Sequence, residues 1–272
     1  MKRLGLTFAA VALVACSAPA VASATPWRIV PIPVPAGTVL SALNAVSCSG
    51  AEACTAVGYY GTTHNTGVDR TLAERWNGSR WEIQPTPTPA GGGLLSGVSC
   101  VSRVLCVAVG QGERGIFSEI WNGMAWRVVA MPSPAGGRSS LESVSCSSSS
   151  ACMAVGMQIN DAGEQAPIAE RWNGVTWQIE TPVTPPQGGA LSGVSCTSAS
   201  ACAAVGSVPL GGVSGTLAER WNGSKWEVQP TPTQTIGSWM ASRVSRSSSA
   251  RPLVEVSASV VAWIPSPSIG TA

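Results

Sequence analysis

Apolar and small residues alternate along short runs of this chain, and the runs recur in a fixed order. Leu191-Ser192-Gly193-Val194-Ser195-Cys196 has the period of two that places one set of side chains on each face of a strand. A five-residue connection follows. Cys202-Ala203-Ala204-Val205-Gly206 then reads as a second strand, and a variable loop leads to a third, Thr216-Leu217-Ala218-Glu219-Arg220-Trp221. Asn222-Gly223 is a strong hairpin signal. Trp226-Glu227-Val228-Gln229 is the fourth strand, ended by Pro230-Thr231-Pro232 because proline has no N–H for a sheet ladder. No segment after residue 25 sustains a helical period.

The pattern occurs four times. Trp-Asn-Gly-x-x-Trp spans Trp76 to Trp81, Trp121 to Trp126, Trp172 to Trp177 and Trp221 to Trp226, each after a Val-Ser-Cys ending at Cys48, Cys100, Cys146 or Cys196. A two-residue turn at Asn222-Gly223 would set Trp226 opposite Glu219. A four-residue loop would set it opposite Trp221. Either turn puts both tryptophans of a motif on one face.

Four short strands in about 50 residues, with a Pro/Gly-rich crossing to the next unit, predict an all-β protein: a β-propeller of about five four-stranded blades. A β-solenoid is the runner-up, but it needs no hairpin turn in every repeat. Trp27-Arg28-Ile29-Val30-Pro31 resembles a fourth strand and is expected to close the ring. The last unit is defective. Val244-Ser245-Arg246-Ser247-Ser248-Ser249-Ala250-Arg251 copies residues 144–152 with both cysteines lost and one residue missing, and no Trp-Asn-Gly follows. The organisation expected is a signal over 1–24, propeller repeats over 25–240 and a degenerate or truncated fifth repeat over 241–272.

The start of the chain reads as an export signal: Lys2 and Arg3, the apolar stretch Leu4 to Ala15, and Ala22-Ser23-Ala24 as a cleavage site. Leu13-Val14-Ala15-Cys16 also resembles a lipoprotein box with Cys16 as the lipidated residue, and an uncleaved anchor is the third reading. All three place the bulk of the protein outside the cytoplasm, secreted or held at the cell envelope. Eight of the nine cysteines form four pairs of one spacing, Cys48/Cys54, Cys100/Cys106, Cys146/Cys152 and Cys196/Cys202. In an exported chain this reads as a disulfide framework. A zinc site would need a different spacing, and His64 is the only histidine. Net charge is +2 with no basic block, which removes the electrostatic case for nucleic acid.

These motifs in tandem resemble a group of secreted, mainly actinobacterial repeat proteins, over roughly residues 27 to 240. More distantly the blade is similar to kelch and Asp-box propellers, in which a Gly turn precedes a Trp on the last strand. The Ser-x-Asp-x-Gly box is absent, so the resemblance implies no sialidase activity. Copper chemistry of the galactose-oxidase kind would need Tyr and His ligands that this chain lacks.

The recurrent acids Glu74, Glu119, Glu170 and Glu219 invite comparison with glycosidase carboxylates. A catalytic pair is normally asymmetric, so fourfold recurrence points instead to packing or to pairing with the arginine that follows three of them. The eight motif tryptophans could form a glycan-binding ring, but a shared face favours hairpin and inter-blade packing. Residues that do not repeat are better candidates. Tyr59 and Tyr60 could stack on a sugar, Asp69 could take its hydroxyls, and His64 lies between them in sequence. Asn160, Asp161 and Glu164 fit no known calcium loop. The expectation is a monomeric, exported binding or scaffold module for a glycan or surface protein, without cofactor or metal. A propeller-fold hydrolase or lyase acting on polysaccharide and a purely structural surface protein are the alternatives.

Overall fold

A computed structural model describes residues 29–62, 69–134, 137–211 and 213–231. The described residues form four antiparallel four-stranded sheets and no helix. The first contains β1 (Leu40–Gly50), β2 (Ala53–Gly61), β3 (Arg70–Trp76) and β4 (Trp81–Gln84). The second contains β5 (Gly93–Ser102), β6 (Leu105–Gly112), β7 (Gly115–Trp121) and β8 (Trp126–Ala130). The third contains β9 (Arg138–Ser148), β10 (Ala151–Ile159), β11 (Gln165–Trp172) and β12 (Trp177–Glu180). The fourth contains β13 (Ala190–Ser198), β14 (Ala201–Leu210), β15 (Val213–Trp221) and β16 (Trp226–Val228). In every sheet the strands lie side by side in chain order.

The sheets stack face to face, and strand parity decides what each face carries. Val57 and Ala73 of the first sheet pack against Leu95, Ala108, Phe117, Trp121 and Trp126 of the second. Val107, Val109 and Ile116 of the second pack on Leu141, Ala154, Ile168, Trp172 and Trp177 of the third. Met153, Val155 and Ala169 of the third meet Leu191, Ala204, Leu217, Trp221 and Trp226 of the fourth. First strands pack on first strands, β1 on β5, β5 on β9 and β9 on β13, as around a common axis. This is a propeller-like array. Among the described residues, no comparable packing joins β13 back to β1. Of the expected N-terminal closing strand, only Ile29 to Pro31 are described, and they are not in a strand. Residues 1–28, where a signal, Cys16 and Trp27 are expected, and residues 241–272, where a degenerate fifth repeat is expected, lie outside the described residues.

Each motif has a separate structural cause. Disulfides join Cys48–Cys54, Cys100–Cys106, Cys146–Cys152 and Cys196–Cys202 across the first hairpin of each sheet, where the two cysteines face each other in register. The serine of Val-Ser-Cys links neighbouring sheets. Ser47 Oγ accepts from Cys100 N at 2.9 Å, Ser99 Oγ from Cys146 N at 3.0 Å, and Ser145 Oγ from Cys196 N at 2.9 Å. The glycine of Cys-x-Ala-Val-Gly answers a one-residue bulge in the first strand, at Asn44, Ser96, Glu142 and Ser192. The bulge folds a carbonyl onto Gly58, Gly110, Gly156 or Gly206, and a Cβ there would collide with it.

The Trp-Asn-Gly-x-x-Trp hairpin has the four-residue loop. Trp76 faces Trp81, Trp121 faces Trp126, Trp172 faces Trp177 and Trp221 faces Trp226. The ring centroids lie 5.6 to 5.8 Å apart. The two-residue alternative fails because only the glycine takes positive φ, 98° at Gly78 and Gly223. The asparagine stays at negative φ, and its side chain closes the loop instead. Asn77 Oδ1 accepts from the Ser79 and Arg80 amides at 3.0 and 3.1 Å, and the other three copies repeat this pair of bonds.

Candidate functional site

The recurrent glutamates are buried, and those of the second, third and fourth sheets face the preceding sheet. Glu74, Glu119, Glu170 and Glu219 are all fully buried, on the same face as the tryptophans. Among the described residues none pairs with an arginine, because the next residue on a strand points the other way. Arg75 instead donates to the Arg103 carbonyl at 2.8 Å and lies 4.9 Å from the Trp121 ring centre on the adjoining sheet. Arg171 bonds Glu180 and Gln178. The expectation of Glu–Arg pairing therefore fails on strand parity, and the expectation of packing stands.

Burial pushes the carboxyl of Glu74 up to about 7 and that of Glu170 to about 8. Burial also takes Glu119 to about 8, against an opposing influence from the Thr71 hydroxyl. Among the described residues, neither oxygen of Glu74, Glu119 or Glu170 has a well-formed hydrogen bond. Glu219 is raised by burial too, but its Oε2 accepts from the Val183 amide at 2.9 Å, which opposes the shift. Val183 stands six residues after Trp177. Pro87 and Pro132 hold the same place in sequence after Trp81 and Trp126, and a proline has no N–H to give. With exposures of 0 to 1%, these four acids are closed to a substrate. The tryptophan pairs are equally enclosed: the motif tryptophans of the second, third and fourth sheets are all buried in the inter-sheet clusters.

A cleft opens where the crossing segments and the ends of the second and third sheets meet. Its volume is about 830 Å³. Asp69 enters from the segment before β3, Gln111 from the end of β6, Glu113 and Arg114 from the β6–β7 turn, and Arg138 with Ser139 from the start of β9. None of these belongs to a repeated motif. The floor is largely backbone at Gly91, Gly92, Gly93 and Gly112. Gly91 and Gly92 take φ of 92° and 91°, and a Cβ on Gly91 would run into the Glu113 side chain. The Asp69 carbonyl accepts from the Gly93 amide at 2.9 Å, which ties the loop of the first sheet to the rim.

Of the residues singled out in the sequence, Asp69 lines this cleft. Tyr59 and Tyr60 sit in β2, paired with Thr71 and Arg70, half-buried and outside the cleft lining. His64 lies outside the described residues. Asn160 and Glu164 bond each other, Nδ2 to Oε2 at 2.8 Å, and Asn160 Oδ1 accepts from the Ala162 and Glu164 amides, so the group serves its own turn. Among the described residues no cluster of His, Cys, Asp and Glu could hold a metal ion. The sequence reading missed Glu113, Arg114 and Arg138. The β6–β7 turn is too short to stand out as a variable loop, although Gly112-Glu113-Arg114-Gly115 matches nothing in the other units.

No protein-family model matches the chain, and no curated protein matches it. Among solved structures it is similar to the subtype N11 neuraminidase-like protein of a flat-faced bat H18N11 isolate, at 13% identity and a TM-score of 0.46 over 74% of this chain and 58% of that one. It is also similar to YCF48 from Cyanidioschyzon merolae, at 13% identity and a TM-score of 0.35 over 73% of this chain and 87% of that one. A fucose lectin from Kordia zhangzhouensis aligns with 50% of this chain and 97% of its own, at 14% identity and a TM-score of 0.35. The chain spans less than two thirds of the neuraminidase-like protein's length.

Proposed function

We propose that the protein is an exported, non-enzymatic binding module that takes a hydroxyl-rich ligand, a glycan or a glycosylated surface protein, in the cleft between its second and third sheets. The observation that carries this reading is the convergence of unrepeated polar residues, Asp69, Gln111, Glu113, Arg114 and Arg138, on one open concavity. The repeated residues are spent on holding the sheets. Concave sites with a few converging polar groups are the usual form of small-ligand sites, and two carboxylates with two guanidiniums suit fixed hydroxyl and acid groups. Tyr59, Tyr60 and His64 are secondary contacts in this proposal. Four disulfides fit a protein working outside the cytoplasm. The reading also keeps residues 241–272 as a degenerate fifth unit that completes the array.

A glycan array on the mature protein tests the proposal. Asp69→Ala and Arg138→Ala are each expected to weaken a bound glycan about tenfold or more, the cost of removing a central contact. Silence on the array, or binding indifferent to both substitutions, would end the glycan reading. A second reading, a polysaccharide hydrolase or lyase, is favoured by one observation: Asp69 and Glu113 are unrepeated carboxylates on the same cleft. Release of reducing ends by the native protein, abolished in Glu113→Gln, would replace the first reading with the second.

A further inference from the structure

The serine-to-amide bonds between sheets form a series that stops one step short. Ser47, Ser99 and Ser145 each accept from the cysteine amide of the following unit. Ser195 occupies the same place in the fourth sheet, and no amide among the described residues reaches its hydroxyl. The rest of that face is bare as well. Val57, Val109 and Val155 are fully buried under the next sheet, whereas their counterpart Val205 is 57% exposed. Ala203, Ser207 and Arg220, also on this face, are exposed. The fourth sheet therefore presents a surface of the kind that its three predecessors cover with a following first strand.

We infer that this face is a docking surface for the Val244-Ser245-Arg246 segment of the same chain, with the Arg246 amide donating to Ser195 Oγ. The inference rests on reading 241–272 as a fifth unit and narrows it to one strand. Arg246 lies 50 residues beyond Cys196, within the spacing of the other units, which is 46 to 52. What the segment keeps is what the series uses: a valine, a serine and an amide in the third place. What it has lost, the cysteine side chain, takes no part in the inter-sheet bond, which runs from the backbone. Ser245 in turn offers a hydroxyl to the Cys48 amide, for which no serine acceptor stands among the described residues.

The remainder of the unit does not continue the pattern. With Arg251 at the place of Cys152, Pro252 falls at that of Met153, paired on both sides within β10. Glu255 falls at that of Gly156, where any Cβ collides with the Ser140 carbonyl. A first strand can dock, and a regular second strand in the same register cannot form.

Hydrogen exchange on the full chain, read in peptides from β13 and β14, tests the inference. Arg246→Pro removes only the donor, and Arg246→Ala keeps it. Arg246→Pro should speed exchange of these strands severalfold to about tenfold, the loss of one placed hydrogen bond. Arg246→Ala should be silent, and peptides from β5 and β6 should not change. Ser195→Ala should match Arg246→Pro, and the double variant should exchange no faster than either. A chain ending at residue 240 keeps the test open should Arg246→Pro fail to fold. If that truncation leaves β13 and β14 unchanged, both the docking and the fifth unit are overturned. If truncation exposes them and Arg246→Pro does not, the Ser195 pairing alone is overturned. Concentration-dependent protection that survives Arg246→Pro would give the face to a second copy, against the inference.

Discussion

At the scale of the residue, four buried glutamates have no charge partner among the described residues. A buried carboxyl left without a partner costs less protonated than ionised, so burial raises its affinity for the proton. The folded chain then binds more protons than the unfolded one between the ordinary carboxyl range and about pH 8. The favourable contribution of Glu119 and Glu170 is therefore complete below the unfolded carboxyl range and is lost as pH rises through their folded values. Thermal unfolding should shift to lower temperature between pH 5 and pH 8. Glu119→Gln, which cannot ionise, should flatten that slope and unfold at a higher temperature than the native chain at pH 8. A Glu119→Gln profile parallel to the native one would refute the assignment.

At the scale of the element, each strand carries a device that sets its register, and the bulge with its glycine is the least forgiving. A methyl on Gly110 meets the Leu94 carbonyl, which the bulge at Ser96 has pushed across it. Gly110→Ala should cost about 1–3 kcal/mol, as for other overpacked sites, in denaturant unfolding. Gly163→Ala is the comparison: nothing surrounds its Cβ, and only its φ of 82° is strained, so its cost should be smaller. The tryptophan hairpins were readable in advance because parity puts Trp221 and Trp226 on one face with either turn. The turn itself was not. It depended on whether asparagine would take positive φ or accept hydrogen bonds from the loop, and the bonds to Asn222 Oδ1 decide it.

At the scale of the molecule, stability is distributed over small units, each with a disulfide closing a loop of sequence separation 6. A loop of that size contributes roughly 2 kcal/mol by the chain-entropy estimate. Four of them reach the 5–15 kcal/mol by which a domain is ordinarily stable. Full reduction should unfold the protein at ambient temperature, as followed by tryptophan fluorescence. Removing the Cys146–Cys152 pair alone, as a double alanine variant, should lower stability and leave the fold. A reduced protein with native fluorescence would show that the sheets hold without the bridges.

Alternation and spacing along the chain are enough for the all-β class, the four strands of each unit, the shared face of each tryptophan pair and the cysteine pairing. These patterns lie within about 50 residues, where chain geometry leaves few choices. The tertiary structure alone decided what depends on contacts between units. It showed that the serine of Val-Ser-Cys bonds the next sheet, that the motif glutamates are buried while Arg75 reaches the adjoining sheet, and that Asp69, Glu113 and Arg138 meet at one cleft. These groups are far apart along the chain, and no local period records which strand ends come together. The same limit applies to the fourth sheet. Alternation puts Ser195 and Val205 on one face of their hairpin, but only the packing shows that no described sheet covers that face.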